Sequence, residues 1–449
     1  MKVLLVSYYY PPLGGAGVQR ALKFSKYLGD FGVTCSVLAA DNPDYVRDAS
    51  LLAEVPAGVA VRRVAHRPLL QRLLAQRHAA APRAAPASKA GGGATAHPRL
   101  RDAALRSYAA LQFPDDRAGW ARHALDAGRA LIREQGIELV LSTAPPMSAH
   151  GLGRRLAREA GLPWVADYRD LWTDNPGYAA PAWRAALDRR TEARWLRQAA
   201  GVVTVTPSWR GRFERQLGPG RPVAFIPNGY DEADFAAAAP PPRDDGVFRL
   251  LHTGTFYGPR DPGTLLDGLD LYLRRNPAPM HPVRPLRLRL VGNMGGRFAQ
   301  RLQQFELQHP GVVEQRAYVP HHEAIAEMRA ADALLLLVGA AGAAGRGDVV
   351  AGTLPGKIFE YLRAARPLLL LGDERGDAAA ILRQHGQGWV ADETQPEAIA
   401  AALQRMMDAA PAHSVAAPAP AASVAAFERR ALTGELAQFL KTCRGAARG

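Results

Sequence analysis

Residues 2–28 read KVLLVSYYYPPLGGAGVQRALKFSKYL, and their order decides the fold. A short apolar run, a turn rich in proline and glycine and then an amphipathic stretch make the strand, turn and helix that open a parallel α/β sheet. Gly14, Gly15 and Gly17 permit close approach of the backbone to a ligand, and the amides at the helix start favour an anion, so phosphate oxygens or an acceptor are expected at this loop. A tight structural turn accounts for the same glycines. The pattern is not a dinucleotide fingerprint: Gly15-x-Gly17-x-x-Arg20 lacks the third glycine and puts a bulky cation in its place. An NAD enzyme is therefore disfavoured.

The same alternation runs outward from this unit. KVLLVSY, TCSVLAA, VAVRRVA, IELVLST, PWVADY, GVVTVT and PVAFIPN read as strands of a first Rossmann-like domain over residues 1–235. After a linker rich in alanine and proline near 236–245, FRLLHTG, LRLRLVG, VVEQRA, ALLLLVG, RPLLLLG and GWVAD read as strands of a second over 246–410. Residues 79–98 and 409–426 are low in complexity, 66–110 form a basic insertion, and a helical period resumes at Phe427 within a last segment, 423–449. The expected fold is α/β, two Rossmann-like domains facing a central cleft, with ligands at the carboxyl ends of the strands.

Composition excludes several classes. The chain has 449 residues, 48% hydrophobic and 22% charged, enough to bury a core and too apolar for a disordered chain. Cys35 and Cys443 cannot make a disulfide scaffold or a thiolate zinc site and fit a reducing, cytoplasmic compartment. The longest low-charge apolar stretch, 334–345, is too short for a membrane span, and the N-terminus reads as a strand rather than a signal peptide. The net charge of +14 is local: residues 62–106 hold ten Lys/Arg and one acid, Asp102. Leu69, Leu70, Leu73 and Leu74 would share a helical face there, with Arg67, Arg72 and Arg77 able to snorkel, so 62–106 is expected to bring the protein to an anionic membrane surface. A solvated arm is the plainer alternative. Nucleic acid is not expected, because this stretch holds no Tyr, Trp or Phe to stack on bases.

Candidate chemistry collects at strand ends. Gly254 closes the first strand of the second domain, and Arg260 follows where its fork could grip a diphosphate. Farther on, Gly352-Thr353-Leu-Pro355-Gly356-Lys357-Ile-Phe-Glu360 sets Lys357 and Glu360 on one face of a helix start. A surface ion pair is the ordinary reading. Against it, the chain writes fifty of its basic residues as Arg and six as Lys, and Lys357 is the one lysine between 90 and 440, which suggests a site suited to a compact ammonium. In the first domain, Ser142, Ser148 and His150 follow one strand, and Arg169 and Asp170 follow the next. A satisfied structural histidine and a helix-capping aspartate are the plain readings of the last two types. No Asp-x-Asp and no His/carboxylate cluster has metal spacing, so no metal is expected.

Taken together, these segments resemble the retaining, nucleotide-sugar-dependent glycosyltransferases of family 4, which have a GT-B fold. The resemblance rests on Tyr10 to Gly15, Ser142 to His150, Arg169 to Trp172, Pro227 to Asp231 and Pro355 to Leu362. It implies transfer of a hexosyl or acetamidohexosyl group from a nucleotide-diphosphate sugar to a glycan or lipid-linked acceptor, in cell-surface polysaccharide or glycolipid synthesis. The donor would be held by Glu360 on the ribose and by Arg260, Lys357, Thr353, Gly356 and Gly254 around the diphosphate. Asp170 and His150 are implied as catalytic and Arg169 and Ser148 as acceptor-side residues, and no cofactor is implied. The resemblance also implies that the last helix returns to the first domain. Two departures stand out: Gly352 occupies the place of the first carboxylate in a Glu-x7-Glu pair, and Arg169 precedes Asp170 where many relatives have histidine. A sugar-nucleotide epimerase on the same fold and a catalytically silent sugar-binding homologue are the competing readings.

Overall fold

The computed structural model describes residues 1–67, 111–175, 177–236, 246–254, 262–277, 284–293, 296–339, 351–411 and 420–446. Arg260, the 236–245 linker beyond Ala236 and the basic stretch beyond Arg67, with its expected membrane contact, lie outside the described residues.

The chain divides into two compact units. Unit 1 comprises Met1–Val205, Arg212–Ile226 and Thr433 onward; unit 2 comprises Thr206–Gly211 and Pro227–Leu432. Unit 1 carries β1 (Lys2–Ser7), β2 (Thr34–Asp41), β3 (Ala60–Ala65), β4 (Leu139–Ala144), β5 (Trp164–Tyr168), β6 (Gly201–Thr204) and β7 (Val223–Phe225). They form one sheet in the order β3-β2-β1-β4-β5-β6-β7, and every pairing is parallel. Unit 2 carries β8 (Phe248–Thr253), β9 (Leu286–Val291), β10 (Val313–Arg316), β11 (Ala333–Leu337), β12 (Leu368–Leu371) and β13 (Gly388–Ala391). Its parallel sheet runs β10-β9-β8-β11-β12-β13. In each sheet the order reverses beside the first strand, between β1 and β4 and between β8 and β11. That reversal opens a crevice at the carboxyl ends of the strands.

The apolar runs are continuous because both faces of each sheet are covered. Leu335 and Leu337 of β11 enter one core with Phe248 and Leu288. Leu334 and Leu336 enter the core on the opposite face, with Leu251 and Ile358. In unit 1, every residue of β4 and β5 is buried.

Helix α1 (Ala16–Tyr27) follows β1, α2 (Ala118–Gln135) precedes β4, α3 (Met147–Ala160) follows it, and α4 (Ala182–Leu196) precedes β6. Arg20 of α1, the cation standing in place of a fingerprint glycine, is 3% exposed and forks onto Asp167 of β5. Its Nε and Nη2 lie 2.9 and 2.7 Å from the carboxylate oxygens, and Thr143 of β4 donates to the same group at 2.7 Å. The last helix, Arg429–Ala446, brings Lys441 to the Phe31 carbonyl at 2.9 Å and Arg444 to Glu138 at 2.7 Å within unit 1.

Burial alone would raise the Asp167 carboxyl; Arg20, Thr143 and Arg169 outweigh it and hold the group below its ordinary value. A carboxyl lowered on folding adds stability above its unfolded value of about 3.9, and that contribution disappears as pH falls through the folded value. Arg20→Met should cost about 3–5 kcal/mol by leaving a buried charge uncompensated, and Arg20→Met with Asp167→Leu should recover much of it. Urea melts of the three proteins measure both quantities; an unchanged midpoint for Arg20→Met would remove the pair from the account.

Candidate functional site

In unit 2 the site is built at the end of β8. Helix α5 (His321–Ala330) follows β10, and α6 (Lys357–Ala364) opens after Pro355 and Gly356. The Lys357 ammonium donates to the Thr253 carbonyl. Gly254 follows with φ +139°, and a Cβ there would lie 2.2 Å from the Lys357 nitrogen. Only a residue without a side chain leaves room for that ammonium, and a guanidinium is broader and planar. This accounts for a lysine in a chain that otherwise prefers arginine. Tyr361, the hydroxyl of which accepts from the Thr253 amide at 3.0 Å, fixes the same strand end from the next turn.

Glu360 lies one turn beyond Lys357 but does not pair with it at hydrogen-bonding distance. It accepts from His321 Nε2 at 3.0 Å, and the other ring nitrogen stands 3.8 Å from Asp234. Burial would raise the Glu360 carboxyl, yet His321, Arg429 and Lys357 hold it below its ordinary value. Burial would lower the imidazole, and Glu360 and Asp234 hold it above. The result is an ionised carboxylate, an acceptor-only group. Sequence reading missed His321; its signal was a Pro-His pair opening a helix at a strand's carboxyl end. Thr353 is half-buried ahead of the same helix start, and Gly356 packs on Asn228. Gly352 is buried with its backbone against the Trp209 indole, where a Cβ would stand 2.6 Å from the ring nitrogen.

In unit 1, Arg169 braces the crevice at the sheet reversal. Its guanidinium donates to the carbonyls of Gly17 and Pro145, both at 2.5 Å, and so ties the start of α1 to the end of β4. Gly14 donates its amide to Val46 and is too crowded by Asp48 to carry a side chain comfortably. Gly15 is exposed with φ +86° at the helix start. Ser148 is buried, and its hydroxyl and amide bond Asp115 at 2.5 and 2.8 Å. Asp170 caps no helix; it is exposed and lines a cavity of about 1130 Å³.

His150 is a correction. Expected as a catalytic group, it is 0% exposed, with Nδ1 2.8 Å from Ser142 Oγ and its ring 4.5 Å from that of Tyr168. Burial lowers its pKa to about 3, so it stays neutral and presents no surface to a substrate. It is a core histidine that fixes α3 on β4.

Residues 88–229 match the family model of the glycosyl transferase 4-like domain. No curated protein matches the chain. Among solved structures, the sucrose-phosphate synthase of Thermosynechococcus elongatus is 14% identical, with 100% of this chain and 96% of that one covered and a TM-score of 0.56. The Anabaena protein HepE, solved with UDP-glucose, is 12% identical over 100% and 98% of the two chains, with a TM-score of 0.56. The UDP-GlcNAc 2-epimerase of Methanocaldococcus jannaschii is 10% identical over 98% and 100%, with a TM-score of 0.51. At such identities the likeness is one of fold: two parallel α/β sheets, as in GT-B glycosyltransferases.

His321, raised on folding, stabilises the chain fully below the ordinary imidazole value of about 6.5 and ceases to do so as pH rises through its folded value. NMR titration of the ring should give a midpoint above that ordinary value, falling in Glu360→Gln. An identical midpoint in the variant would mean that Glu360 is not the partner.

Proposed function

We propose that the chain is a retaining glycosyltransferase that moves a sugar from a nucleotide-diphosphate sugar to the hydroxyl of a glycan or lipid-linked acceptor. The observation that carries this reading is the unit 2 site: an ammonium seated on the β8 terminus, with an ionised carboxylate one turn away. A nucleotide needs both, a compact cation for the diphosphate and an acceptor-only oxygen pair for the ribose hydroxyls. The fold shared with HepE, which was solved with UDP-glucose, supports a nucleotide sugar as the ligand.

In this reading Lys357 offsets charge as the bond from the anomeric carbon to the diphosphate breaks and the electron pair stays on the leaving phosphate oxygen. The acceptor oxygen bonds to the anomeric carbon from the same face, and its proton passes to that phosphate oxygen. Glu360 positions the nucleoside, and His321 keeps Glu360 ionised and oriented. In unit 1, Asp170 is the exposed carboxylate placed to hold an acceptor hydroxyl. The mechanism needs no metal, because cationic side chains take the charge.

A scan of nucleotide sugars for nucleoside-diphosphate release, with product analysis, separates transfer from epimerisation, which releases no glycoside. On the best donor, Lys357→Ala and Glu360→Ala should each lose about 1.5–3 kcal/mol of transition-state stabilisation, roughly 10- to 100-fold in kcat/KM, with melting temperature retained. Lys357→Arg should not restore the rate, since Gly254 leaves no space for the wider group. Transfer should persist in excess chelator. Near wild-type rates in both alanine variants would dismiss the donor site, and a loss reversed by magnesium or manganese would dismiss the metal-free mechanism.

A further inference from the structure

The cavity of unit 1 says more about the acceptor than the sequence motifs do. It lies at the carboxyl ends of β4 and β5, lined by Pro145, Pro146 and Met147. Trp172, Trp183 and Leu111 also line it. At about 1130 Å³ it exceeds the space one sugar ring fills and lies just above the usual range of small-molecule sites, about 300–1,000 Å³.

Its rim is also apolar. Among the described residues eight large hydrophobic side chains are exposed, and four of them gather here. Leu111 and Trp183 line the cavity at 73% and 57% exposure. Leu187 is one turn beyond Trp183 on α4, and Phe113 lies under the Arg184 guanidinium at 5.2 Å from its ring centroid. Contiguous exposed apolar surface beside a cavity marks a binding site.

The charges of the cavity point away from a phosphorylated ligand. Among the described residues four carboxylates line it, Asp115, Asp116, Asp170 and Asp188, against two guanidiniums, Arg117 and Arg184. Arg184 binds Asp188 at 2.8 Å and the Pro114 carbonyl at 2.7 Å, and Arg117 is charge-paired with Asp116 at 3.1 Å, although its Nη1 makes no hydrogen bond. A diphosphate entering this space would meet excess negative charge in an apolar setting, where repulsion is poorly screened. A hydroxyl group would meet Asp170 as a hydrogen-bond acceptor.

Resting on the glycosyltransferase reading, we infer that this cavity holds a neutral amphiphilic acceptor, a hydroxyl-bearing head on an apolar body, and discriminates against acceptors that carry a diphosphate. The apolar body lies on Pro145, Met147 and Trp172 and leaves across Leu111 and Trp183. The hydroxyl head lies by Asp170.

Calorimetric titration of the full chain without any nucleotide tests this with two matched pairs. Geraniol should bind at least tenfold more tightly than geranyl diphosphate, and hexyl β-glucoside at least tenfold more tightly than glucose. Trp183→Ala, a change at an exposed position, should weaken hexyl β-glucoside about tenfold without moving the melting temperature of the free protein, and Trp183→Phe should restore part of the affinity. Asp170→Asn should narrow the gap between geraniol and geranyl diphosphate. Geranyl diphosphate binding as well as geraniol, glucose binding as well as hexyl β-glucoside, or Trp183→Ala binding like wild type would each overturn the inference. Because the titrations contain no sugar donor, absence of nucleoside-diphosphate release in the donor scan would fail the glycosyltransferase reading separately from this one.

Discussion

The buried ion pair between Arg20 and Asp167 is the constraint around which unit 1 is arranged. A guanidinium and a carboxylate removed from water are each costly, and they are tolerated because the fork geometry and the Thr143 hydroxyl meet the charge of the carboxylate. The consequence is positional. Arg20 belongs to the helix after the first strand and Asp167 to the fifth strand, so the pair reaches across the point where the strand order reverses. Arg169, two residues past Asp167, repeats the arrangement one layer outward with main-chain carbonyls as partners. Between them they hold the glycine loop, the proline turn and the Asp170 segment in fixed relation, and the last two line the cavity.

Unit 2 solves a comparable problem with less burial. Its strand end is pinned by a lysine on a carbonyl and a tyrosine on an amide, and the carboxylate beside them is kept charged by an imidazole that itself lies between two acids. Such a chain of alternating charges is self-consistent: removing one member changes the protonation of its neighbours, so the residues act as a group rather than singly.

The sheets were legible because their strands are buried on both faces, and uninterrupted runs such as Ala333–Leu337 and Leu368–Leu371 have few other uses in a chain of this composition. Lys357 was legible for a different reason, its rarity among arginines, and the structure supplies the steric cause in Gly254. What sequence could not convey is partnership at long range. Arg20 looked like a flaw in a glycine pattern, since its partner is 147 positions away. His321 belonged to no motif, its partner Glu360 being 39 positions on. His150 carried a motif and proved to be core, because the face of α3 it occupies is turned inward in a way that spacing from Ser142 alone does not fix. The cavity was invisible for the same reason: its lining comes from segments joined only by folding.

Gly352 bears on the history this chain can have. It lies against Trp209, an indole 5% exposed at the start of a helix whose Ser208 hydroxyl and amide bond Asp377 at 2.8 and 3.1 Å. A carboxylate at position 352 is therefore not one codon change away in any useful sense. A side chain there collides with the buried ring, which would have to repack to admit it. Order matters: the tryptophan must shrink before the glutamate can arrive, and the intermediate would carry a void where the indole had packed. The glycine at 352 is thus preserved by a neighbour that itself needs no ligand to make the position intolerant of change.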